Sequence, residues 1–293
     1  MSIYFNLSLL FPLQPPNSTA EIGPMSHPIL STLQYWLVSH PKILHFSWNP
    51  GQTTASTPLF LTLALLTYLS LTLLLPRIHL PSLDPHILKP ITAVHSLTLF
   101  LLSFVMCLGC TLSIMTTHEP RHTICFPHRT LPTGPLFFWA YIFYLSKILE
   151  FVDTLLIILA KSSRRLTFLH VYHHATVLVM SYFWLQTSQS LFPVGIVTNS
   201  LVHVFMYCYY LLSAMGVRPK WKRLVTDCQI VQFVFGFAIS GLMLYYHFTG
   251  LGCSGMLGWG FSTVFGASLL LLFVDFHSKT YAKRRAGDKD KRL

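Results

Sequence analysis

Four stretches of this 293-residue chain contain no Asp, Glu, Lys or Arg: 58–75, 91–117, 166–217 and 228–274. A helix that crosses a bilayer needs about 20 predominantly apolar residues, so the last two stretches are each long enough for two. Charged residues make up 10% of the chain, against about 25% in soluble domains. A solvated globule is excluded, and a polytopic membrane protein is implied.

Polar and proline punctuation divides the stretches further. QTSQSLFP (186–193) breaks the third into spans near 168–185 and 193–213, and GLGCSGMLGWG (250–260) breaks the fourth into spans near 228–247 and 256–276. Adding 58–75, a span within 91–115 and one at 135–159, the last apolar except for Lys147, Glu150 and Asp153, brings the count to seven. The fold class is therefore an all-α integral membrane protein with seven transmembrane helices and its termini on opposite sides. With the N-terminus outside, 16 of the 20 Lys and Arg residues fall on the inner side, the asymmetry that marks cytosolic segments. The net charge of +11 is then mostly topology, and it gives no ground for a nucleic-acid partner.

The chain divides into an outer N-terminal segment (1–57), a membrane domain (58–276) and a basic inner tail (277–293). No basic residue precedes FNLSLLFPL (5–13), which argues against a cleaved signal peptide. Residues 29–48, with Tyr35, Trp36, His45 and Trp48, are read as an interfacial helix, and Asn17-Ser18-Thr19 is a glycosylation sequon on the outer side.

Four clusters put polar groups where burial costs several kcal/mol unless they are paired. In KILEFVDT (147–154), Lys147, Glu150 and Thr154 share one helical face, with Asp153 on its flank. In HVYHH (170–174), His170, His173 and His174 point the same way at the inner end of the fourth span. In NSLVHVFMYCYY (199–210), Asn199, His203, Met206, Tyr207 and Tyr210 form a polar-aromatic stripe. In TDCQIVQ (226–232), Gln229 and Gln232 lie three apart on an apolar helix, a spacing that also serves ordinary interhelical hydrogen bonding. An ion pair within the first cluster that serves only packing leaves at least one carboxylate needing another partner. Three of the four clusters fall in the inner half of the bundle and define a deep pocket of acid, imidazole, amide and phenol groups opening to the cytosol.

Membrane desaturases and hydroxylases use histidine boxes of the H-x-x-H-H type around two irons, but with about eight histidines in three boxes. This chain has one box, with His203 and the isolated His95 and His247. A single metal centre from His170, His173, His174 and His203 is the remaining metal-dependent reading, that of a membrane lipid oxidoreductase. A seven-span receptor or transporter is the non-enzymatic one, and it leaves the triple histidine beside paired carboxylates unexplained.

Together the four motifs resemble the signature set of the ELO family of very-long-chain fatty acid elongases, in family order and without departure. The resemblance implies a seven-helix fold enclosing an acyl tunnel, with a lumenal N-terminus and cytosolic C-terminus. It implies a very-long-chain 3-oxoacyl-CoA synthase of the endoplasmic reticulum membrane that joins long-chain acyl-CoA to malonyl-CoA and releases CO₂ and CoA. No cofactor or metal is expected. The implied partners are the two CoA substrates, membrane lipid, and the 3-ketoacyl-CoA reductase, dehydratase and enoyl-CoA reductase of the cycle, since the chain has no dinucleotide fingerprint. A homodimer is compatible with it.

The CoA phosphates need cations at the cytosolic mouth, for which Lys161, Arg164, Arg165, Lys220, Lys222 and Arg223 are candidates, although such charges also serve topology alone. Condensation needs an acyl acceptor and an oxyanion stabiliser. Cys208 lies about 140° round its helix from His203, and Cys228 lacks an obvious base, so an imidazole is the expected nucleophile. His173 takes that role, with His203 in acid–base steps and His170 and His174 positioning malonyl-CoA or stabilising charge. Glu150 and Asp153 orient imidazoles, Asn199, Gln229, Tyr207 and Tyr210 donate hydrogen bonds, and Lys147 and Gln232 complete the supporting set.

Cys125 and Cys253 fall in loops on the lumenal side, where disulfides persist, and a bridge between them is expected; Cys107, Cys110, Cys208 and Cys228 read as buried. The last five residues, with Lys289 and Lys291, match the K-x-K-x-x dilysine signal that returns membrane proteins to the endoplasmic reticulum.

Overall fold

The computed structural model describes residues 28–78, 84–116, 120–162, 165–250 and 252–282. The helices are α1 (Pro28–Gln34), running into a π-helical turn (Tyr35–Ser39), α2 (Pro41–Leu44), α3 (Pro58–Leu74), closed by a 3-10 turn (Leu75–Arg77), and α4 (Pro85–Met115). They continue with α5 (Pro120–Ile124), α6 (Pro135–Leu149), α7 (Phe151–Leu159), α8 (Phe168–Thr187), α9 (Phe192–Ala214), α10 (Lys222–Thr249) and α11 (Met256–His277). Among the described residues no strand forms; isolated bridges pair Ser47 with Thr133 and Pro127 with Cys253.

Local chemistry sets the starts of these helices. Thr57 accepts from the Phe60 amide (3.2 Å), Asp84 from His86 (2.8 Å) and Thr167 from His170 (3.2 Å), each filling an orphan donor of a first turn. Pro58, Pro85 and Pro135 occupy first-turn positions, where a missing N–H costs nothing.

Five helical stretches are long and apolar enough to cross a membrane: Pro58–Arg77, Pro85–Met115, Phe192–Ala214, Lys222–Thr249 and Met256–Tyr281. The chain is a multi-pass membrane protein. The other two spans expected from the sequence are helical but differ in kind. The third breaks at Glu150 into α6 and α7, and the fourth, α8, carries the histidine cluster. The break at Glu150 and the three histidines of α8 are what interrupts or dilutes their apolar length. Leu59, Leu63, Leu66, Leu71, Leu73 and Leu74 of α3 are exposed, the inverse of a water-soluble helix and the surface that lipid requires.

One end of the bundle is closed by loops. Cys125 and Cys253 are joined by a disulfide, their Cα atoms 4.9 Å apart. Between the two half-bridges, Ser254 N donates to Phe126 O (3.0 Å), Phe126 N to Ser190 Oγ (3.1 Å) and Ser190 Oγ to Ser254 O (2.8 Å). The α5–α6, α8–α9 and α10–α11 connections therefore meet at this end. Gly255, at φ 74°, sits against the Gln189 backbone, where both the left-handed conformation and the lack of space require glycine.

The N-terminal segment docks over the same end as two helical pieces: α1 continuing into the π-helical turn (28–39), with Tyr35 and Trp36 exposed, and then α2. Trp48 is buried and donates to Gln186 Oε1 (3.3 Å), Tyr144 to Ala55 O (2.9 Å), Tyr182 to Ser56 O (3.2 Å) and Trp139 to Leu37 O (3.0 Å). Residues 1–27, with Asn17, and the tail from 283 lie outside the described residues. Of the four free cysteines only Cys110 is fully buried; Cys107, Cys208 and Cys228 are partly exposed along their helices.

The long helix α4 packs along α9 and meets α6 at Gly109, where any Cβ would fall within the Trp139 indole. Overpacking at such a site costs about 1–3 kcal/mol. Gly109→Leu is therefore expected to lower the thermal midpoint of the detergent-solubilised protein, measured by tryptophan fluorescence, whereas Gly236→Ala, whose added Cβ would meet nothing within 4 Å, leaves it unchanged.

Candidate functional site

Glu150 stands at the junction of α6 and α7, buried to 1% exposure, beside Lys147 at 1%. One helical turn separates them, so Lys147 Nζ reaches Glu150 Oε1 at 2.6 Å. The ammonium also donates to Asn199 Oδ1 of α9 (3.3 Å) and lies 4.2 Å from the Phe143 ring centroid. A buried cation is thereby met by a carboxylate, an amide oxygen and an aromatic face. Glu150 Oε2 has no hydrogen-bond partner; it lies 3.8 Å from His203 Nε2 and 4.0 Å from His174 Nδ1, which is itself unpartnered.

The histidines are held differently. His203 Nδ1 donates to the Asn199 carbonyl (2.8 Å). A carbonyl only accepts, so the neutral ring carries its proton on Nδ1 and keeps a lone pair on Nε2, toward Glu150. His170 Nε2 shares a hydrogen bond with Thr154 Oγ1 (2.9 Å), which shares another with Tyr68 OH of α3 (3.1 Å). His174 packs against both neighbouring imidazoles, with ring centroids 4.4 Å from His170 and 5.3 Å from His173. His173 lines a cavity of about 150 Å³ between α8, α9, α10 and α11. Asn199 and Gln232 share that end of the cavity; Val177, Met180 and Trp184 continue its wall along α8, and Gln189 lies at the loop end.

His203 and His174 both approach Glu150 Oε2, whereas His170 engages Thr154 and His173 faces the cavity, so the four motif histidines do not converge on one point. Among the described residues, no group of three or more His, Cys, Asp or Glu side chains is arranged to hold a metal ion.

Asp153 does not orient a motif histidine. Its Oδ2 accepts from Tyr207 OH (2.8 Å) and its Oδ1 from His95 Nε2 (3.0 Å), so its partners come from α9 and α4. His95 was visible in the sequence as the one histidine of the uncharged stretch 91–117, an ionisable group at a depth that marks function. It stood alone there because its partner is 58 residues away. Tyr68, in a leucine-rich span, gave no sequence signal.

The remaining candidates divide. Gln229 Nε2 approaches Met206 Sδ (3.9 Å). Tyr210 is 43% exposed, with its ring 5.9 Å from that of Tyr207, and so lies at the margin of the cluster. Lys161, Arg165, Lys220, Lys222 and Arg223 are exposed at the α7–α8 and α9–α10 connections, opposite the disulfide end, and Arg223 Nε is 3.6 Å from Asp227 Oδ2. Arg164, Lys289 and Lys291 lie outside the described residues.

Comparison with known proteins bears on this arrangement. Residues 53–289 match the ELO (GNS1/SUR4) family. The chain is similar to an Arabidopsis thaliana fatty acid elongase 3-like protein, 29% identical over 89% of this chain and 96% of that one. It is similar to fatty acid elongase A of Dictyostelium discoideum, 34% identical over 83% and 91%. With the mouse very long chain fatty acid elongase 5 it shares 39% identity over about half of each chain (52% and 50%).

Removing one member of a buried ion pair costs about 3–5 kcal/mol, because the other charge is left uncompensated. Lys147→Met is expected to destabilise the detergent-solubilised protein by that order, and adding Glu150→Gln to recover most of the loss. Thermal unfolding of the two variants side by side measures both.

Proposed function

Since the chain belongs to the ELO (GNS1/SUR4) family, we propose that within fatty acid elongation it catalyses the condensing step, joining long-chain acyl-CoA to malonyl-CoA. The observation that carries this reading is the position of His173, a nucleophile-capable imidazole at the end of an otherwise largely apolar cavity. The acyl chain lies along Val177, Met180 and Trp184, about 16 Å of helix from His173, and its thioester carbon rests against the imidazole. His173 attacks that carbon, the C–S bond breaks, and CoA leaves as thiolate. Malonyl-CoA then loses CO₂; the carbanion at its former C2 attacks the acyl-imidazole, and the C–N bond breaks to regenerate His173 and release 3-oxoacyl-CoA.

The other groups fit supporting parts. Lys147 and Asn199 supply positive potential and an amide where the oxyanion develops. His203, with a free lone pair on Nε2, and His174 serve proton transfers and malonyl binding beside Glu150. The CoA phosphates fall to the exposed cations at the α7–α8 and α9–α10 connections, and to Arg164, which lies outside the described residues. The same reading makes the bundle a seven-span one, with α6–α7 and α8 as the third and fourth spans, the disulfide end lumenal and the tail cytosolic. It assigns the protein to the endoplasmic reticulum membrane, returned there through Lys289 and Lys291, beside the reductase and dehydratase enzymes that complete the cycle. The chemistry draws on no bound cofactor.

Purified protein incubated with long-chain acyl-CoA and radiolabelled malonyl-CoA, without reductant, is expected to give labelled 3-oxoacyl-CoA, and His173→Ala to give none. Mass spectrometry of protein quenched with acyl-CoA alone is expected to find the acyl adduct on His173. An adduct elsewhere overturns the nucleophile assignment; no product from folded protein at any chain length overturns the condensation reading.

His95 acts through Asp153 as a positioning residue. Loss of a hydrogen bond to a charged group is worth about 1.5–3 kcal/mol, a drop of roughly 10- to 100-fold in rate. His95→Ala is expected to lose that much kcat with little change in KM for acyl-CoA. His95→Gln, which keeps a donor near the Nε2 position, is expected to recover much of it; equal defects in the two variants would make His95 a packing residue only.

A further inference from the structure

A second cavity, of about 500 Å³, lies between α3 and α6–α7. Its volume is within the range of ligand pockets, about 300–1,000 Å³, and none of its 14 lining residues is charged. Three of the four hydroxyls in its wall are spent: Tyr68 on Thr154, Thr154 on His170, and Thr72 on the Tyr68 carbonyl (2.8 Å); the fourth is that of Thr67. What remains is an aliphatic trough along a membrane-spanning helix, with Leu63, Leu71, Leu155 and Ile158 along its length.

The two helices run in the same direction. Tyr68 stacks on Phe151 with centroids 4.0 Å apart, and seven residues further along each chain Leu75 and Ile158 line the groove together. Both helices finish at the same end, and each is followed within three residues by a cation, Arg77 after Leu75 and Lys161 after Ile158. Both side chains are exposed, and among the described residues neither takes part in an ion pair. An uncharged trough the length of a bilayer leaflet, ending at two unpaired cations, is the complement of an acyl chain with a phosphate at its head.

We propose that the α3–α7 groove binds an anionic glycerophospholipid, with one acyl chain along the trough and the phosphate against Arg77 and Lys161. The trough is separate from the acyl cavity at His173 and stands on the membrane setting of α3, but its headgroup end shares Lys161 with the cations proposed for the CoA phosphates, so acyl-CoA is the competitor to test against it. Its wall touches the reaction centre through one relay, Tyr68 to Thr154 to His170, so a lipid seated against Tyr68 also fixes the outermost histidine of the cluster.

The test uses the full-length protein in phosphatidylcholine nanodiscs doped with one of two photoreactive lipids, carrying the same diazirine acyl chain on a phosphatidylserine or a phosphatidylcholine head. The phosphatidylserine probe is expected to label peptides containing Leu71 and Leu155 more strongly, by about fivefold for each cation. Arg77→Gln with Lys161→Gln removes the preference, and Thr67→Trp, or Ala64→Trp at a second level of the groove, removes the labelling while tryptophan fluorescence reports a native fold. Equal labelling by the two probes overturns the headgroup assignment. Cross-links between two copies through α3 overturn the proposal in favour of a dimer face, and displacement of the probe by acyl-CoA overturns it in favour of a substrate groove.

Discussion

A lysine and a glutamate one turn apart, both withdrawn from solvent inside a segment that crosses or nearly crosses the bilayer, set the terms for the rest of this molecule. The desolvation of such a pair amounts to several kcal/mol per ion and is offset only when geometry and additional hydrogen bonds are good. Lys147 meets that requirement with three partners from two helices: Glu150 at 2.6 Å, Asn199 at 3.3 Å and the face of Phe143. Glu150 does not, because its second oxygen is left without a hydrogen bond. The unspent capacity is aimed at His203 and His174, so the ion pair stabilises the junction and also directs a buried acceptor at the imidazoles. A fully satisfied pair at this position would hold the helices together equally well and leave nothing for chemistry.

The same residues account for the division of labour among the helices. Five stretches meet the length and apolarity needed to cross a membrane without help. The two that fall short are α6–α7, interrupted at Glu150, and α8, which carries three histidines in its first two turns. Segments that cannot be stabilised by lipid on all sides must be stabilised by protein, and both bury one face in the core around Phe143, Tyr144, Leu178 and Leu185. The apolar helices form the wall that makes this possible: α4 lies along α9, while α10 and α11 flank the cavity that begins at His173. At the loop end, the Ser190, Phe126 and Ser254 hydrogen bonds and the Cys125–Cys253 bridge fix the depth at which that cavity stops.

Much of this was legible in the sequence, for reasons that differ by element. Helix positions followed from uncharged length and from the polar and proline punctuation at 186–193 and 250–260, because hydrocarbon leaves the backbone few alternatives. That Lys147 shares a face with Glu150, His170 with His174, and Asn199 with His203 followed from spacing along single helices, since residues three and four apart share a face. The pairing between helices did not follow. Asp153 was expected to orient imidazoles, and the imidazole it meets is that of His95, outside the four motifs, together with the Tyr207 hydroxyl; which partner it finds is set by how α7 packs against α4 and α9, which no local spacing encodes. Tyr210 extends the polar stripe on paper and lies largely outside the cluster, because the stripe drifts round α9 as it approaches the helix end. Residues 29–48 read as an interfacial helix from their aromatic content; Tyr35 and Trp36 are exposed there, while the hydrogen bonds of Trp48 to Gln186 and of Trp139 to Leu37 O tie the segment to the bundle, which aromatic content alone does not encode.

The histidine motif itself shows where spacing stops being informative. Successive helical residues turn by about 100°, so His170 and His174 differ by about 40°, and His173 lies about 60° to the other side of His170. An arc of roughly 100° is one face by the usual reckoning, but it is wide enough to touch three different neighbours. At one edge His174 looks toward Glu150; between them His170 engages Thr154; at the other edge His173 reaches the cavity. Thr154 and Asp153, adjacent on α7, face opposite ways for the same reason, one toward α3 and α8 and the other toward α4 and α9. One turn of α7 therefore fixes the register of four surrounding helices. Three histidines with near-identical sequence surroundings acquire distinct environments because each is addressed by a different one of those neighbours, and the imidazole with access to the cavity is the one that the packing has left uncommitted.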